Sequence, residues 1–246
     1  MLTSLEKTIF LLFLAASLYY GGRRFYDVYR SIARGKPDGR FDQLPRRVVD
    51  ALVNVVIQRS VFRMRPVVSF LHALVFYGFV FYFLVNLVDV LEGYIALHAQ
   101  GGLWNAFNLT ADVLTTTVLI GIIGLMIRRF FVRPKDFDFP ANVPVREGVR
   151  EGVRRDSTIV SAFIVFHVGS RLMYKASQVA LEGADPWQPV SSAFAAQFSG
   201  ITPGALEIFH HFFWWGALWS ILVFIPYLPP PKHIHLFMAA INLALS

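Results

Sequence analysis

The chain has 246 residues, of which 55% are hydrophobic and 16% are charged, and its formal net charge is +7. The apolar fraction exceeds the roughly 45–50% of a soluble domain and is concentrated in blocks, which predicts an integral membrane protein. Cysteine is absent, which excludes iron–sulfur ligation, thiolate zinc sites, thiol catalysis and covalently attached haem. The positive charge lies in two loops beside apolar segments, so it has a membrane explanation and nucleic acid is not expected as a partner.

Five apolar segments are long enough to cross a membrane as helices, since one crossing takes about 20 residues. The first contains an acid beside Lys7 and no small-residue cleavage site, so we interpret it as a helix and not as a removed signal peptide. The predicted spans run from Leu5 to Tyr20, Val67 to Leu91, Leu109 to Ile127, Thr158 to Leu181 and Ala205 to Leu228.

The first loop, residues 31–65, contains a predicted amphipathic helix. After Pro45, apolar residues recur at helical spacing while charged residues occupy the other faces, which is typical of a helix lying in the headgroup region. The apolar positions are Val48, Val49, Leu52, Val53 and Val56.

The basic residues predict the orientation of the chain. Eleven Arg and Lys residues lie between Arg23 and Arg65 and eight between Arg128 and Arg155, whereas segments 92–108 and 182–202 have none. Positively charged loops stay in the cytoplasm. We therefore expect an all-α bundle of five transmembrane helices in the inner (cytoplasmic) membrane, with the N-terminus outside and the C-terminus in the cytoplasm.

Several histidines lie inside the predicted spans: His72, His167 and the pair His210-His211. His233 and His235 follow the last span after three prolines, and His98 lies in an outer loop where we expect solvent. A histidine in hydrocarbon is neutral and hydrogen-bonded or is coordinated to a metal, and several on different helices are typical of bis-imidazole haem. The pattern favours an electron carrier.

Depth along the helices predicts which histidines share an iron. At about 1.5 Å per residue, His167 lies roughly 15 Å above Ser157, and His211 lies roughly 12 Å below the outer face of a core about 30 Å thick. These two are the predicted distal pair, with His210 as the alternative because adjacent helical residues point about 100° apart. His72 lies nearer the cytoplasm, where His233 or His235 is available as a partner.

The tail of the chain carries a family resemblance. The segment Pro229 to His235, followed by Leu236-Phe237 and preceded by a helix with Trp214-Trp215, resembles the Pro-x-Ser-Lys-His-x-His stretch of membrane subunits fused to cysteine-rich iron–sulfur reductases. That group includes electron-transfer-flavoprotein:menaquinone oxidoreductases and relatives of heterodisulfide reductase. Their membrane part is similar to the respiratory nitrate reductase gamma subunit, a five-helix di-haem cytochrome b with this orientation.

The resemblance implies ligands for one haem and a departure at the other. It places the cytoplasm-proximal haem between His72 and His235. The second pair would fall near Tyr82 and Ala217, neither of which supplies an imidazole. The pair predicted from depth, His167 with His211 or His210, would take its place.

Four basic residues are candidates for haem propionates. Arg171 and Lys175 follow His167 by one and two helical turns, and cations in a membrane helix are costly unless they are paired. We expect propionates as their partners, with outward snorkelling as the alternative. Arg63 and Arg65, just before the second span, are candidates for the proximal propionates.

One acid is a candidate for proton transfer to a quinone. Glu207 lies one turn before His211 and inside the membrane, which favours a catalytic role in quinone chemistry on the outer side. The structural alternatives are that Glu207 pairs with Arg171 or Lys175 or stabilises the start of its helix.

Taken together, residues 1–246 are predicted to form a single di-haem cytochrome b membrane domain with two haem b groups. It would pass electrons between menaquinone and a cytoplasmic iron–sulfur or flavoprotein partner, including electron transfer flavoprotein. Residues 229–246 form a tail at the cytoplasmic face, and the end at Ser246 favours a partner cut away or encoded separately. The alternative is a haem-free membrane anchor or a small transporter, with a polar pathway of His, Glu and Arg side chains.

Overall fold

The computed structural model describes residues 1–36, 42–95, 97, 99–134, 143–229 and 234–245, and it is all-helical over them. The predicted all-α class is confirmed. The α-helices are α1 (Ser4–Ile32), α2 (Leu44–Ile57), α3 (Arg59–Met64), α4 (Pro66–Tyr94), α5 (Gly102–Met126), α6 (Glu147–Glu182), α7 (Pro189–Ala195), α8 (Pro203–Tyr227) and α9 (His235–Leu245). A π-helical segment, Ile127–Val132, continues α5, and a 3-10 turn, Ala196–Phe198, follows α7.

Four helical segments are long and apolar enough to cross a membrane, which is consistent with a membrane protein. They are Pro66–Tyr94, Gly102–Val132, Glu151–Glu182 and Pro203–Tyr227, and they correspond to the last four predicted spans. The first predicted span lies within α1, whose apolar stretch is bounded by Lys7 and Arg23 and contains two tyrosines and two glycines. The fifth crossing and the orientation of the chain remain predictions.

Two of these helices begin earlier than the sequence predicts. α5 begins at Gly102 instead of Leu109, because Trp104 stacks on Phe107 and Phe107 packs against Phe81 of α4, which gives the first turns an apolar face. α6 begins at Glu147, so part of the predicted basic loop is helical.

The chain forms two compact units, and each takes part of α1, α4 and α8. Unit 1 comprises Met1–Leu11 and Leu71–Ile221, and unit 2 comprises Leu12–Phe70 and Leu222–Ser246. The core of unit 1 joins α4, α5 and α6 through buried apolar side chains of each. These are Tyr82, Val85, Ala111, Val118 and Val168.

An acid on α5 holds the connection between α6 and α8. Asp112 accepts hydrogen bonds from the backbone N–H groups of Val190 and Ser191, at 2.6 and 3.0 Å. These groups lie in the first turn of α7, where backbone donors have no partner within the helix. The connection is therefore docked on α5 within unit 1.

Unit 2 contains the amphipathic helix expected after Pro45. It is α2, it packs against α9, and its apolar residues Val49, Leu52 and Val56 are exposed. Its position in the headgroup region remains a prediction. The apolar tail after the prolines forms α9, while His98 and His233 lie outside the described residues.

Candidate functional site

His167 lies in α6 and is buried, with 6% of its surface exposed. Its Nδ1 is 2.9 Å from the backbone oxygen of Ala217 in α8. Because a carbonyl oxygen only accepts, Nδ1 must carry the hydrogen, and Nε2 of the neutral ring carries the lone pair. The ring lies nearly parallel to Phe163, at 5.7 Å and 11°, and edge-on to Tyr82 at 5.6 Å.

His210 is held on α8 by α6 in a similar way. Its Nδ1 is 3.3 Å from the hydroxyl oxygen of Ser177. That hydroxyl donates to the Tyr174 carbonyl at 2.7 Å, so its oxygen is left to accept from the imidazole. The His210 ring also contacts the Tyr174 ring, with centroids 4.7 Å apart.

His211 is bound to the start of α1 within unit 1. Its Nδ1 is 2.9 Å from Oε1 of Glu6, and the same oxygen accepts from Trp215 Nε1 at 3.0 Å. The other oxygen of Glu6 accepts from the backbone N–H and hydroxyl of Thr3, each at 2.8 Å, which makes Thr3 and Glu6 a capping box. A carboxylate behind the Nδ1–H group is an arrangement common behind metal-bound imidazoles.

The cations predicted to need partners find them on α4. The guanidinium of Arg171 donates from Nε to Asp89 at 2.8 Å, and Lys175 Nζ lies 2.6 Å from Glu92 Oε2 and 3.7 Å from Asp89 Oδ1. Asp89 and Arg171 expose only 2% and 3% of their surfaces. The Tyr174 hydroxyl also donates to Glu92, at 3.2 Å. We call these five residues the ionic cluster.

Sequence reasoning missed both acids of the ionic cluster. The available signal was a spacing: Asp89 and Glu92 lie one turn apart near the end of one span, and Arg171 and Lys175 lie one turn apart on another. Glu207, the predicted partner of these cations in one alternative, lies on the exposed side of α8. Asp89 and Glu92 neutralise them instead, so propionates are not needed for that purpose. A haem role for Arg171 and Lys175 remains a prediction.

A small cavity adjoins the ionic cluster in unit 1. Glu92, Tyr174, His210 and His211 are among the side chains that line it, and its volume is about 20 Å³. That is room for one water molecule, and the polar lining supplies the partners that a buried water needs.

The three imidazoles fit haem ligation in orientation, because each donates from Nδ1 and leaves Nε2 for a metal. Along α8, however, His167 lies at a different level from His211 and His210, and the predicted distal pairing stays a prediction. The hydrogen-bond partner of His167 on α8 is Ala217, six residues beyond His211 and so roughly 9 Å farther along the helix. Two ligands of one iron must each bring a nitrogen within about 2 Å of it.

The predicted proximal ligands lie in different units. His72 belongs to α4 of unit 1, and His235 is the first residue of α9 in unit 2. Arg63 of α3 and Arg65 are exposed in unit 2. In the described part of the chain, no three His, Asp or Glu side chains converge to hold a metal ion, but an axial pair on haem needs only two. The pairing remains a prediction.

Comparison with known proteins finds one informative similarity. No protein-family model and no solved structure matches the chain. The chain is similar to the EtfAB:quinone oxidoreductase of Syntrophomonas wolfei subsp. wolfei (strain DSM 2245B / Goettingen), with 26% identity over 210 residues. The match covers 82% of this chain and 28% of that protein, so the chain spans under a third of its length.

Proposed function

We propose that the chain is the membrane part of a quinone-linked oxidoreductase, a b-type cytochrome that passes electrons between menaquinone and a cytoplasmic partner. The partner class is a flavoprotein, including electron transfer flavoprotein, or an iron–sulfur domain. The similarity to EtfAB:quinone oxidoreductase carries this proposal, because it extends over 82% of the chain. The four apolar helices support it, since a quinone dissolves in the bilayer and must be met there.

Haem b is the redox group that the donor set favours. Without cysteine, the chain has no thiolate ligand to offer a redox group, and imidazole is a common axial ligand of haem iron. The resemblance to the nitrate reductase gamma subunit assigns His72 and His235 as the ligands. When bound, a haem of this kind takes up and gives back one electron at its iron.

The chain's own residues would position that haem near one end of α4. His72 is six residues after Pro66, so it lies roughly 9 Å into the helix. Its side chain is partly buried, which suits a ligand that must reach a group beside the helix. The guanidinium groups of Arg63 and Arg65 would bind the propionates, since charge-assisted hydrogen bonds to carboxylates are the stronger kind.

The haem-free alternative has one observation in its favour, the ionic cluster inside unit 1. A polar pathway would use such residues. However, each cation of the cluster is paired with a carboxylate, and the adjoining cavity has room for about one water molecule. This packing favours a fixed polar core, so the cytochrome is the better-supported proposal.

An optical spectrum of the full chain purified in detergent tests the proposal. We expect a reduced-minus-oxidised difference spectrum of a b-type cytochrome, and reduction of the haem when a menaquinol analogue is added. His72→Ala and His235→Ala should each abolish the haem signal, because each removes one axial ligand. His233→Ala is the matched control from the same tail and should retain it.

Two results would contradict this proposal. A haem-free wild-type chain, from cells supplied with a haem precursor, would favour the membrane anchor or transporter. Loss of haem in His233→Ala with retention in His235→Ala would show that the ligand carried over from the resemblance is shifted by two residues.

A further inference from the structure

The contact between α6 and α8 decides whether a second haem has room in unit 1. A haem bound by His167 with His211 or His210 would have to lie between these two helices. Its porphyrin needs an open slot, and its iron must be within about 2 Å of a nitrogen from each side.

Between the predicted ligands the two helices are in direct contact. A Cβ atom added to Gly216 of α8 would lie 2.9 Å from Oγ and 3.3 Å from Cβ of Ser170 in α6. Such distances are shorter than ordinary van der Waals contacts, so a larger residue at position 216 would require the Ser170 side chain to move or the two helices to separate slightly. Ser170 is buried. No slot for a porphyrin exists at this level.

At the level of His167 the surrounding space is filled by side chains. Phe163 lies nearly parallel to the imidazole, Tyr82 packs edge-on to it, and Ala217 accepts its hydrogen bond. Tyr82 and Ala217 are themselves buried. They are also the positions at which the resemblance would place the second pair of haem ligands. The imidazole of His167 thus lies between Tyr82 and Ala217, the two residues that stand in place of those ligands.

The register of α6 and α8 separates the predicted ligands. On α8, the partner of His167 is six residues beyond His211, which is roughly 9 Å. On α6, the partner of His210 is Ser177, ten residues beyond His167, which is roughly 15 Å. Both helices therefore place His167 at a different level along the interface from His210 and His211.

We infer that the chain binds a single haem, and that His167 joins α6 to α8 as a structural hydrogen-bond donor. The inference rests on the proposed cytochrome function. His210 and His211 are held by Ser177 and Glu6 at another level of this interface, too far along the helices to share an iron with His167. With one haem near one end of α4, electrons enter and leave on the same side of the chain and are not relayed along the full length of unit 1.

Haem stoichiometry of the full chain tests this inference. The pyridine haemochrome assay, set against protein concentration, should give one haem b per chain, and a potentiometric titration should give a single one-electron step. His167→Gln should keep the ratio at one, since glutamine retains an N–H donor but is a poor ligand of haem iron. His72→Ala is the matched control and should reduce the ratio to zero.

Each other outcome is decisive. Two haems per chain, or two one-electron steps, would overturn the single-haem inference and leave the proposed cytochrome in place. Zero haem in the wild type would overturn the proposed function itself. A ratio that falls in a monodisperse His167→Gln preparation would make His167 a ligand. If that variant aggregates, the wild-type ratio and titration decide alone.

Discussion

The interface of α6 and α8 has two levels that use histidine differently. At the level of His167 the ring is enclosed by aromatic and apolar side chains and bonded to a backbone carbonyl. At the level of His210 and His211 the rings line a cavity beside the ionic cluster and are bonded to a serine and to Glu6. The closely packed Gly216 lies between them.

The difference teaches that a histidine in an apolar segment is not by itself evidence of a metal ligand. A buried imidazole must satisfy its N–H group, and each of these three does so through Nδ1. The Nε2 atom of each of the three rings is therefore equally able to bind a metal. What separates a ligand from a packing residue is the space in front of Nε2, which the neighbouring helix determines.

Removing a charge from the ionic cluster, which lies beside His210 and His211, should cause the largest loss of stability. Asp89→Asn takes away the main partner of Arg171 and leaves a buried guanidinium uncompensated, which costs about 3–5 kcal/mol when a buried pair is broken. We expect the melting temperature in detergent to fall by on the order of 10 °C. Thermal unfolding followed by circular dichroism measures this.

The matched control is Asp50→Asn, which removes the acid of an exposed pair with Arg46. It should change stability by under about 0.5 kcal/mol, because exposed pairs contribute little. The double variant Asp89→Asn, Arg171→Met should recover part of the loss, since it removes both buried charges. An Asp89→Asn protein as stable as the control would mean that the cluster is solvated.

The sequence predicted the helices of this interface but not how they meet. Apolar runs located all four candidate spans, and the valine spacing after Pro45 located α2. The distances along one helix also followed, so the intervals from His167 to Arg171 and Lys175 were known. The partners of those cations were not, because the acids lie on a different helix and the rotation of that helix is set by packing.

The relative depth of His167 and His211 is the clearest case. Hydropathy predicts nearly the same height in the membrane for the two residues, because each height is counted from the end of an apolar segment. In the structure α6 begins eleven residues before the predicted boundary at Thr158, and α7 occupies the connection to α8 and is docked on Asp112. The sequence specifies the position of a residue along its own helix. Tertiary contacts specify how far the neighbouring helix is shifted along its axis.

Adding a methyl group at Gly216, between the two levels, should cause an intermediate loss of stability. Gly216→Ala places a Cβ 2.9 Å from the Ser170 hydroxyl oxygen, which forces α6 and α8 apart or moves a buried side chain. Overpacking of this kind costs about 1–3 kcal/mol. Thermal unfolding of the variant should show the loss, and Ser170→Gly in the same chain should restore part of it.

Gly204→Ala, in the first turn of the same helix, is the control. A Cβ there has no neighbour within 4 Å, so the change should be neutral or slightly stabilising, because alanine has the higher helix propensity. If Gly216→Ala were equally neutral, the helices would have slack between them, and close packing would no longer exclude a haem at this level.

The smallest expected effect is that of replacing Glu207 on the rate of haem reduction by menaquinol. This measurement distinguishes a chain with one haem from a chain with two. His72 is 17 residues before Asp89 on α4, roughly 25 Å along the helix. The Asp89 carbonyl accepts from Trp214 of α8, and Glu207 lies seven residues farther from His72 on that helix. Electron transfer falls steeply with distance, so a quinone bound beside Glu207 would be too far from a haem on His72.

We therefore expect Glu207→Gln to leave the rate of menaquinol-dependent haem reduction unchanged across pH, with haem content intact. The two-haem arrangement predicts the opposite, because an outer quinone would react beside a distal haem and lose its proton acceptor. Stopped-flow reduction by a menaquinol analogue measures the difference, with haem-free His72→Ala as the background. A slower rate with a full complement of haem would place the quinone near Glu207 and would return His211 to the list of ligands.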